Sequence, residues 1–193
     1  MKTLLQIGLY VVIIVLGFFI YQSVMEPIRF GREASKREAA IIQKLKDIRS
    51  IQVAHRSRYG KFLGDLDSLV TFVKLDSLPV VTAIGAVPDS LTEAQAVKLG
   101  VVRRDTTWVV AKDSLFKSTK YPIDSIPYVP YSEGKRFSLE AGTITRGLVT
   151  IPVFEAKTNA PDYMQGLKYK IYYTRENLKV GSMQESSVDG NWE

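Results

Sequence analysis

Cysteine is absent from the 193 residues, and histidine occurs once, at position 55. The first absence excludes disulfides, thiolate metal sites and cysteine nucleophiles. The second excludes a metal site built from several histidines. No G-x-G-x-x-G, phosphate-loop or G-x-S-x-G motif is present either. Acidic residues are scarce in one place only. From Ile28 to Phe62 three Asp/Glu face ten Lys/Arg, whereas from Leu63 to the end sixteen face fifteen. The formal net charge of +6 therefore belongs to one segment. Hydrophobic residues make up 46% and charged residues 24%, a composition that folds rather than stays disordered.

The basic segment directly follows a stretch with no charge at all, from Thr3 to Met25. Its apolar residues are Leu4, Leu5, Ile7, Leu9, Val11, Val12, Ile13, Ile14, Val15, Leu16, Phe18, Phe19 and Ile20. At roughly −0.3 to −0.6 kcal/mol each, they favour insertion by on the order of 4–8 kcal/mol. As a helix the uncharged run spans about 34 Å, enough for a hydrocarbon core of about 30 Å. A cleaved signal peptide would have a shorter apolar region followed by an A-x-A-like site. Tyr21-Gln22-Ser23-Val24-Met25 offers no such site. Residues 1–25 are thus expected to form a retained transmembrane signal anchor.

Residues 26–60 are expected to form a basic amphipathic stem. Ala34, Ile41, Leu45, Ile48, Ile51 and His55 recur at helical spacing. Val53 joins them among the residues expected to serve stem packing or assembly. Tyr59-Gly60 supplies the stop, and Pro27 with Gly31 predicts a kink or short break between membrane helix and stem. The juxtamembrane basic residues are Arg29, Arg32, Lys36, Arg37 and Lys44. Set against Lys2 and the amino terminus, they favour a cytoplasmic carboxy-terminal domain by the positive-inside rule alone.

One segment carries a family resemblance. Ile48-Arg49-Ser50-Ile51-Gln52-Val53-Ala54-His55 is followed by Arg58-Tyr59-Gly60-Lys61-Phe62 and then Asp65-Leu66-Asp67-Ser68-Leu69. With the apolar helix before it, this resembles the type IV pilin and pseudopilin family over about residues 1–73. There an apolar helix runs into a basic amphipathic stem that closes in a Tyr-rich turn. The family's processing motif, a basic leader and Gly-Phe-Thr-Leu-x-Glu, is not matched. Gly17-Phe18 lies inside the apolar run, and the first glutamate is Glu26. Since pseudopilins export their heads behind basic stems, the resemblance implies a single-pass protein of a bacterial inner membrane with a periplasmic head. It also implies work as a structural subunit of a secretion, pilus or motility assembly.

Residues 61–193 are expected to form an α+β globular head. Asp65 can cap a helix running to Lys74, and Thr92 to Gln95 fits a capping box opening a helix over 93–99. Strand formers are dense at Thr106–Val110, within Arg103–Phe116, and over Arg136–Ile144, Leu148–Glu155, Lys168–Arg175 and Leu178–Val180. Short turns between them predict an antiparallel meander. Prolines 122, 127 and 130 exclude a central strand from Tyr121–Tyr131 and leave an ordered crossover loop or an aromatic binding segment. The expected fold is therefore α+β: an N-terminal transmembrane helix continuing into an amphipathic stem helix, packed on a small antiparallel β-sheet head.

No catalytic, cofactor or metal residues are assigned. Ser114-Leu115-Phe116-Lys117 and Ser132-Glu133-Gly134-Lys135 match S-x-x-K at the frequency of chance, and no K-T-G accompanies them. Glu140 and Glu155 lie on expected strands and are a possible carboxylate pair, with exposed strand positions the blander account. The four Asp-Ser-Leu triplets, at 67, 76, 89 and 113, suit caps and turns. Asp65-Leu66-Asp67 lacks the glycine and distal glutamate of a calcium loop. The expected partners are the membrane, other subunits of a membrane complex and anionic lipid. Nucleic acid is disfavoured because no Phe, Tyr or Trp interleaves with the charges between Arg32 and Arg58. No small-molecule substrate is expected. The rival expectation is a membrane-tethered module whose head binds a peptide, glycan or lipid.

Overall fold

The computed structural model describes residues 2–85, 92, 95, 98, 99, 102–117, 121–168 and 177–193. Its first element, α1, is one unbroken helix over Lys2–Tyr59, about 87 Å long at 1.5 Å per residue. The expected break does not occur, because α1 continues through Pro27 and Gly31. Proline removes one donor, so the Ser23 carbonyl four residues back loses its intrahelical partner while the flanking turns persist. Among the described residues α1 is the one helix long and apolar enough to cross a membrane, and its apolar window is wholly exposed to the surroundings.

The second half of α1 behaves oppositely. Ala34 is buried, and Ile41, Leu45, Ile48 and Ile51 are 0% exposed. All five belong to a single hydrophobic core shared with the head. The line advances by steps of seven, four, three and three, which keeps one helical face toward the partner surface. Val53 departs from it. Two positions beyond Ile51 it turns to the opposite side and is 44% exposed, which removes it from stem packing.

After Gly60, whose φ of +73° ends the helix in a conformation glycine adopts freely, the head begins. Helix α2, Leu66–Leu75, is capped by Asp65, which accepts from the Ser68 N–H at 2.8 Å. It buries Leu66, Leu69, Phe72 and Val73. Strand β1, Ser77–Ile84, pairs antiparallel with β2, Arg103–Val110. A short helix α3, Ala111–Phe116, replaces the strand expected to run on to Phe116. Around residues 92–99, Gln95 Oε1 accepts from the Thr92 N–H at 3.0 Å and Leu99 N donates to Gln95 O at 2.9 Å. The rest of the helix expected there lies outside the described residues, as does the expected strand beyond Lys168.

The second sheet has the order β3-β4-β5, built from Ser138–Arg146, Val149–Asn159 and Asn177–Gly181. Both pairings are antiparallel, and Gly147-Leu148 turns β3 into β4. The helix α4, Ala160–Tyr163, follows β4 directly. Among its described residues the head thus holds two separate small sheets where one meander was expected. β1 was not foreseen, since Pro79 lies within it, opposite Trp108 on β2. A two-stranded ribbon has no central strand, so a residue without an N–H is tolerated. The proline-rich span 121–131 carries only a 3-10 turn at Ile123–Ser125 and a bridge from Tyr128 to Arg136. Its Ile123, Ile126 and Val129 are buried, so it lies against the core as an ordered crossover.

Candidate functional site

The distal half of α1 borders a groove of about 710 Å³. Val53, Ala54, Ser57 and Arg58 of α1 form one wall, with Leu78 and Pro79 of β1, Leu115 of α3 and Val188 completing it. Val53 therefore faces this groove rather than the core. Arg49 and Arg58 supply its positive charge and Asp189 its negative charge. Both guanidinium groups already have partners. Arg49 meets the Glu193 carboxylate at 2.8 Å. Arg58 donates to the Asp76 carboxylate and the Ser77 carbonyl, and lies 5.3 Å over the Trp108 ring.

Asp76 is the hub of that network. It also accepts from the Tyr59 hydroxyl at 2.6 Å and from the Ser77 N–H at 2.9 Å. Burial opposes its charge, but the hydrogen bonds from Tyr59, Arg58 and Ser77 outweigh burial and hold the carboxyl below the usual aspartate range. The Asp76 hydrogen bond likewise raises the Arg58 guanidinium and the Tyr59 hydroxyl. Nothing in this arrangement resembles a nucleophile with its base. Ser50 Oγ is spent on the Lys46 carbonyl at 2.9 Å. His55 does not line the groove. Its Nδ1 lies 2.7 Å from the Lys61 carbonyl, and its ring packs 4.7 Å from Tyr59 and 4.9 Å from Phe72.

The other chemical candidates are absorbed by structure. Ser132 donates to the Val129 carbonyl at 2.6 Å within a tight turn, and Lys135 pairs with Asp162. Glu140 and Glu155 stand directly opposite each other across β3 and β4. Lys157 bridges them, 3.0 Å from Glu155 and 3.7 Å from Glu140, and Lys179 is 3.4 Å from Glu155. Burial works against the Glu155 charge. The Lys157 hydrogen bond and both lysine charges prevail, so its carboxyl lies below the usual range. A carboxylate held ionised by two lysines is a poor general acid at neutral pH. Of the Asp-Ser-Leu triplets, Asp67 meets Arg136, Asp76 ends α2 and Asp113 lies in the first turn of α3 without capping it, while 89–91 lies outside the described residues. Among the described residues no group of three His, Asp or Glu could hold a metal ion.

The five juxtamembrane cations divide into two sets. Arg37 turns inward, donating to the carbonyls of Tyr163 at 3.0 Å and Gln165 at 2.8 Å. Lys44 donates to the Ser125 carbonyl and, at 2.8 Å, to its hydroxyl. Burial lowers the Lys44 ammonium below its ordinary value, with Asp47 partly compensating. These two therefore fasten the head to α1 instead of awaiting a partner. Arg29, Arg32 and Lys36 remain exposed. Outward apolar residues elsewhere gather on the β1–β2 ribbon, where Val80, Val81, Trp108 and Val110 are 40–61% exposed.

Two features escaped the sequence. Gln52 is fully buried and holds the backbone of Leu63. Its place between Ile51 and Val53 gives no signal beyond one polar residue close to an apolar line. The groove is assembled from four separated segments, and no local pattern marks it. No family model, curated protein or solved structure matches the chain.

Proposed function

We propose that this chain is a non-enzymatic, membrane-anchored subunit of an envelope-spanning secretion, pilus or motility assembly. In this proposal α1 crosses a bacterial inner membrane once and the head stands on its periplasmic side, in the manner of the pilin-like proteins that its stem resembles. The observation that carries it is the continuity of α1. One helix joins an exposed apolar span to a stretch buried in the head, so the head cannot swivel on its anchor. Such coupling suits a part that transmits position or force within an assembly better than a tethered receptor, which gains from a flexible linker.

Photo-crosslinking in intact cells from exposed Val53 and Trp108 tests the subunit role. Defined adducts in a large detergent-stable complex are expected. Monomeric protein without adducts would overturn it. A reporter fused after Glu193 tests orientation, with activity outside the cytoplasm expected.

The groove favours a second proposal, a binding module for an apolar peptide, glycan or lipid segment, because its walls are mainly apolar. A ligand at 100 times its Kd would stabilise the fold by about 2.7 kcal/mol. Ligand-dependent melting of a monomer would favour this alternative over the subunit.

A further inference from the structure

We propose that the membrane-facing end of the head, where Leu167 and Lys168 meet Glu26 and Arg29 of α1, together with the exposed Arg32 and Lys36 on the same helix, binds the anionic headgroup layer of the bilayer. The proposal rests on the reading of α1 as a membrane anchor and adds to it a lipid-selective contact made by the head. Four observations carry it.

First, the head reaches down to the edge of the apolar span. Lys168 lies 2.9 Å from the carboxylate of Glu26, the first charge after the uncharged run. Second, this approach is held from above. Arg37 grips the carbonyls of Tyr163 and Gln165, which fixes the start of the same loop along the helix. Third, the seam is partly apolar. Phe30 and Leu167 pack against the core and line a cleft of about 320 Å³ with Glu26, Arg29, Glu33 and Lys168. Fourth, among the described residues of α1 here the charge that remains outward is positive. Glu26 is engaged with Lys168, and Glu33 with Arg37 at 3.3 Å. Arg29, Arg32 and Lys36 are exposed, and steps of three and four place them on one helical face.

Distance along the helix selects lipid over a soluble acidic partner. With α1 upright, Arg29 stands about 6 Å and Arg32 about 10 Å beyond Met25, and Lys36 about 16 Å. The polar layer is roughly 5–8 Å deep on each side of the hydrocarbon. The potential of anionic lipid extends about another 8–10 Å into solution. All three cations thus lie within the headgroups or within reach of their field. Each basic residue so placed strengthens attraction to an anionic surface about fivefold.

The absence of native cysteine permits a direct test on the full chain. Leu167→Cys carries a fluorophore, and the protein is reconstituted in phosphatidylcholine vesicles with a minority of phosphatidylglycerol. A headgroup quencher is attached in turn to the neutral or the anionic lipid. The expected result is quenching several-fold stronger from the anionic lipid. That preference should vanish at high salt and in the Arg29→Gln, Arg32→Gln, Lys36→Gln triple variant. Quenching by the neutral lipid should persist in the variant, which shows that the head is still folded and seated. A fluorophore at Leu148→Cys is the control for position. Leu148 is fully exposed at the β3–β4 turn, while Phe154 further along β4 packs beside Phe62, whose ring lies by Arg56 in the last turn of α1, the end far from the membrane. It should be quenched by neither lipid. Equal quenching by the two lipids, or a preference that survives in the triple variant, overturns the headgroup contact and leaves the patch to an acidic protein. Carbonate extraction separates the two levels. A chain stripped from the vesicles overturns the anchor and this proposal together, and a retained chain without lipid preference overturns the contact alone.

Discussion

Gln52 holds Leu63 by both of its backbone groups: Nε2 donates to the Leu63 carbonyl at 2.7 Å, and Oε1 accepts from the Leu63 N–H at 2.9 Å. The pair clips the turn after α1 back onto the helix, and it is what aims the chain from Gly60 toward α2. Gln52 is 0% exposed, so its own amide has no water to turn to. Substituting leucine keeps the volume but leaves the half-buried Leu63 N–H and C=O without their partner, at about 1–2 kcal/mol each. Gln52→Leu should therefore cost on the order of 2–4 kcal/mol in denaturant unfolding of the detergent-solubilised chain. A midpoint equal to that of the unaltered protein would show that the turn is held elsewhere.

The stem supplies a contrast between neighbouring positions. Leu45 is 0% exposed, and Leu45→Ala should cost about 2–5 kcal/mol. The sequence alone suggests that Val53→Asp unfolds the protein and that Ala34→Asp spares it. Burial reverses that order, because Ala34 is 4% exposed and Val53 44%. A carboxylate at position 34 enters the core unpaired and should cost about 3–5 kcal/mol. At position 53 it reaches the groove and should change stability by about 0.5 kcal/mol or less. Thermal melts of the two variants decide between the orders.

What could be read without coordinates followed from period and charge. The apolar run, the line from Ile41 to Ile51 and the Asp65 cap are local patterns with one physical meaning each. The turn at Gly147 is another, and it fixed β3 and β4 to within a few residues. Pro79 concealed β1, since proline argues against a strand unless that strand lies at a sheet edge, as both strands of a two-stranded ribbon do. The unbroken α1 was concealed in the same way by Pro27. Arg37 and Lys44 looked like surface charges because basic residues beside a membrane span usually are. Only the tertiary fold brings carbonyls from 163, 165 and 125 within their reach. The groove needs four distant segments, so no window of sequence contains it.

Acid should weaken the head through Glu155. Its carboxyl is held below the ordinary value of 4.5 in the folded protein, against burial, by the hydrogen bond from Lys157 and by the charges of Lys157 and Lys179. A carboxylate depressed on folding contributes stability that is fully present above its unfolded value and lost as pH falls through its folded value. The melting temperature should accordingly decline on acidification below pH 4.5. In Glu155→Gln the neutral-pH melting temperature should already be lower, and the gap to the unaltered chain should close at low pH. Parallel curves over the whole range would remove Glu155 from the acid response.

Arg37 gives the last prediction, because it ties the stem to the part of the head nearest the anchor. Its Nη1 donates to the carbonyl of Tyr163, the last residue of α4, and to that of Gln165 just beyond it, and the guanidinium stands 4.9 Å from the centre of the Tyr131 ring. Both carbonyl bonds leave one nitrogen, Nη1, while Nε meets Glu33 at 3.3 Å; lysine has a single ammonium on a flexible stem and cannot hold both carbonyls, Glu33 and the ring at once. Hydrogen bonds from a charged donor contribute about 1.5–3 kcal/mol, so Arg37→Lys should destabilise by a similar amount. The loss should be local before it is global. Amide exchange should quicken at Tyr163–Leu167, while β3 and β4, which pair along nine residues, should keep their protection. Lys168 would then lose the support that holds it beside Glu26. Unchanged exchange at 163–167 would mean that the apolar contacts of Tyr163 and Met164, both essentially fully buried, seat this segment without the arginine.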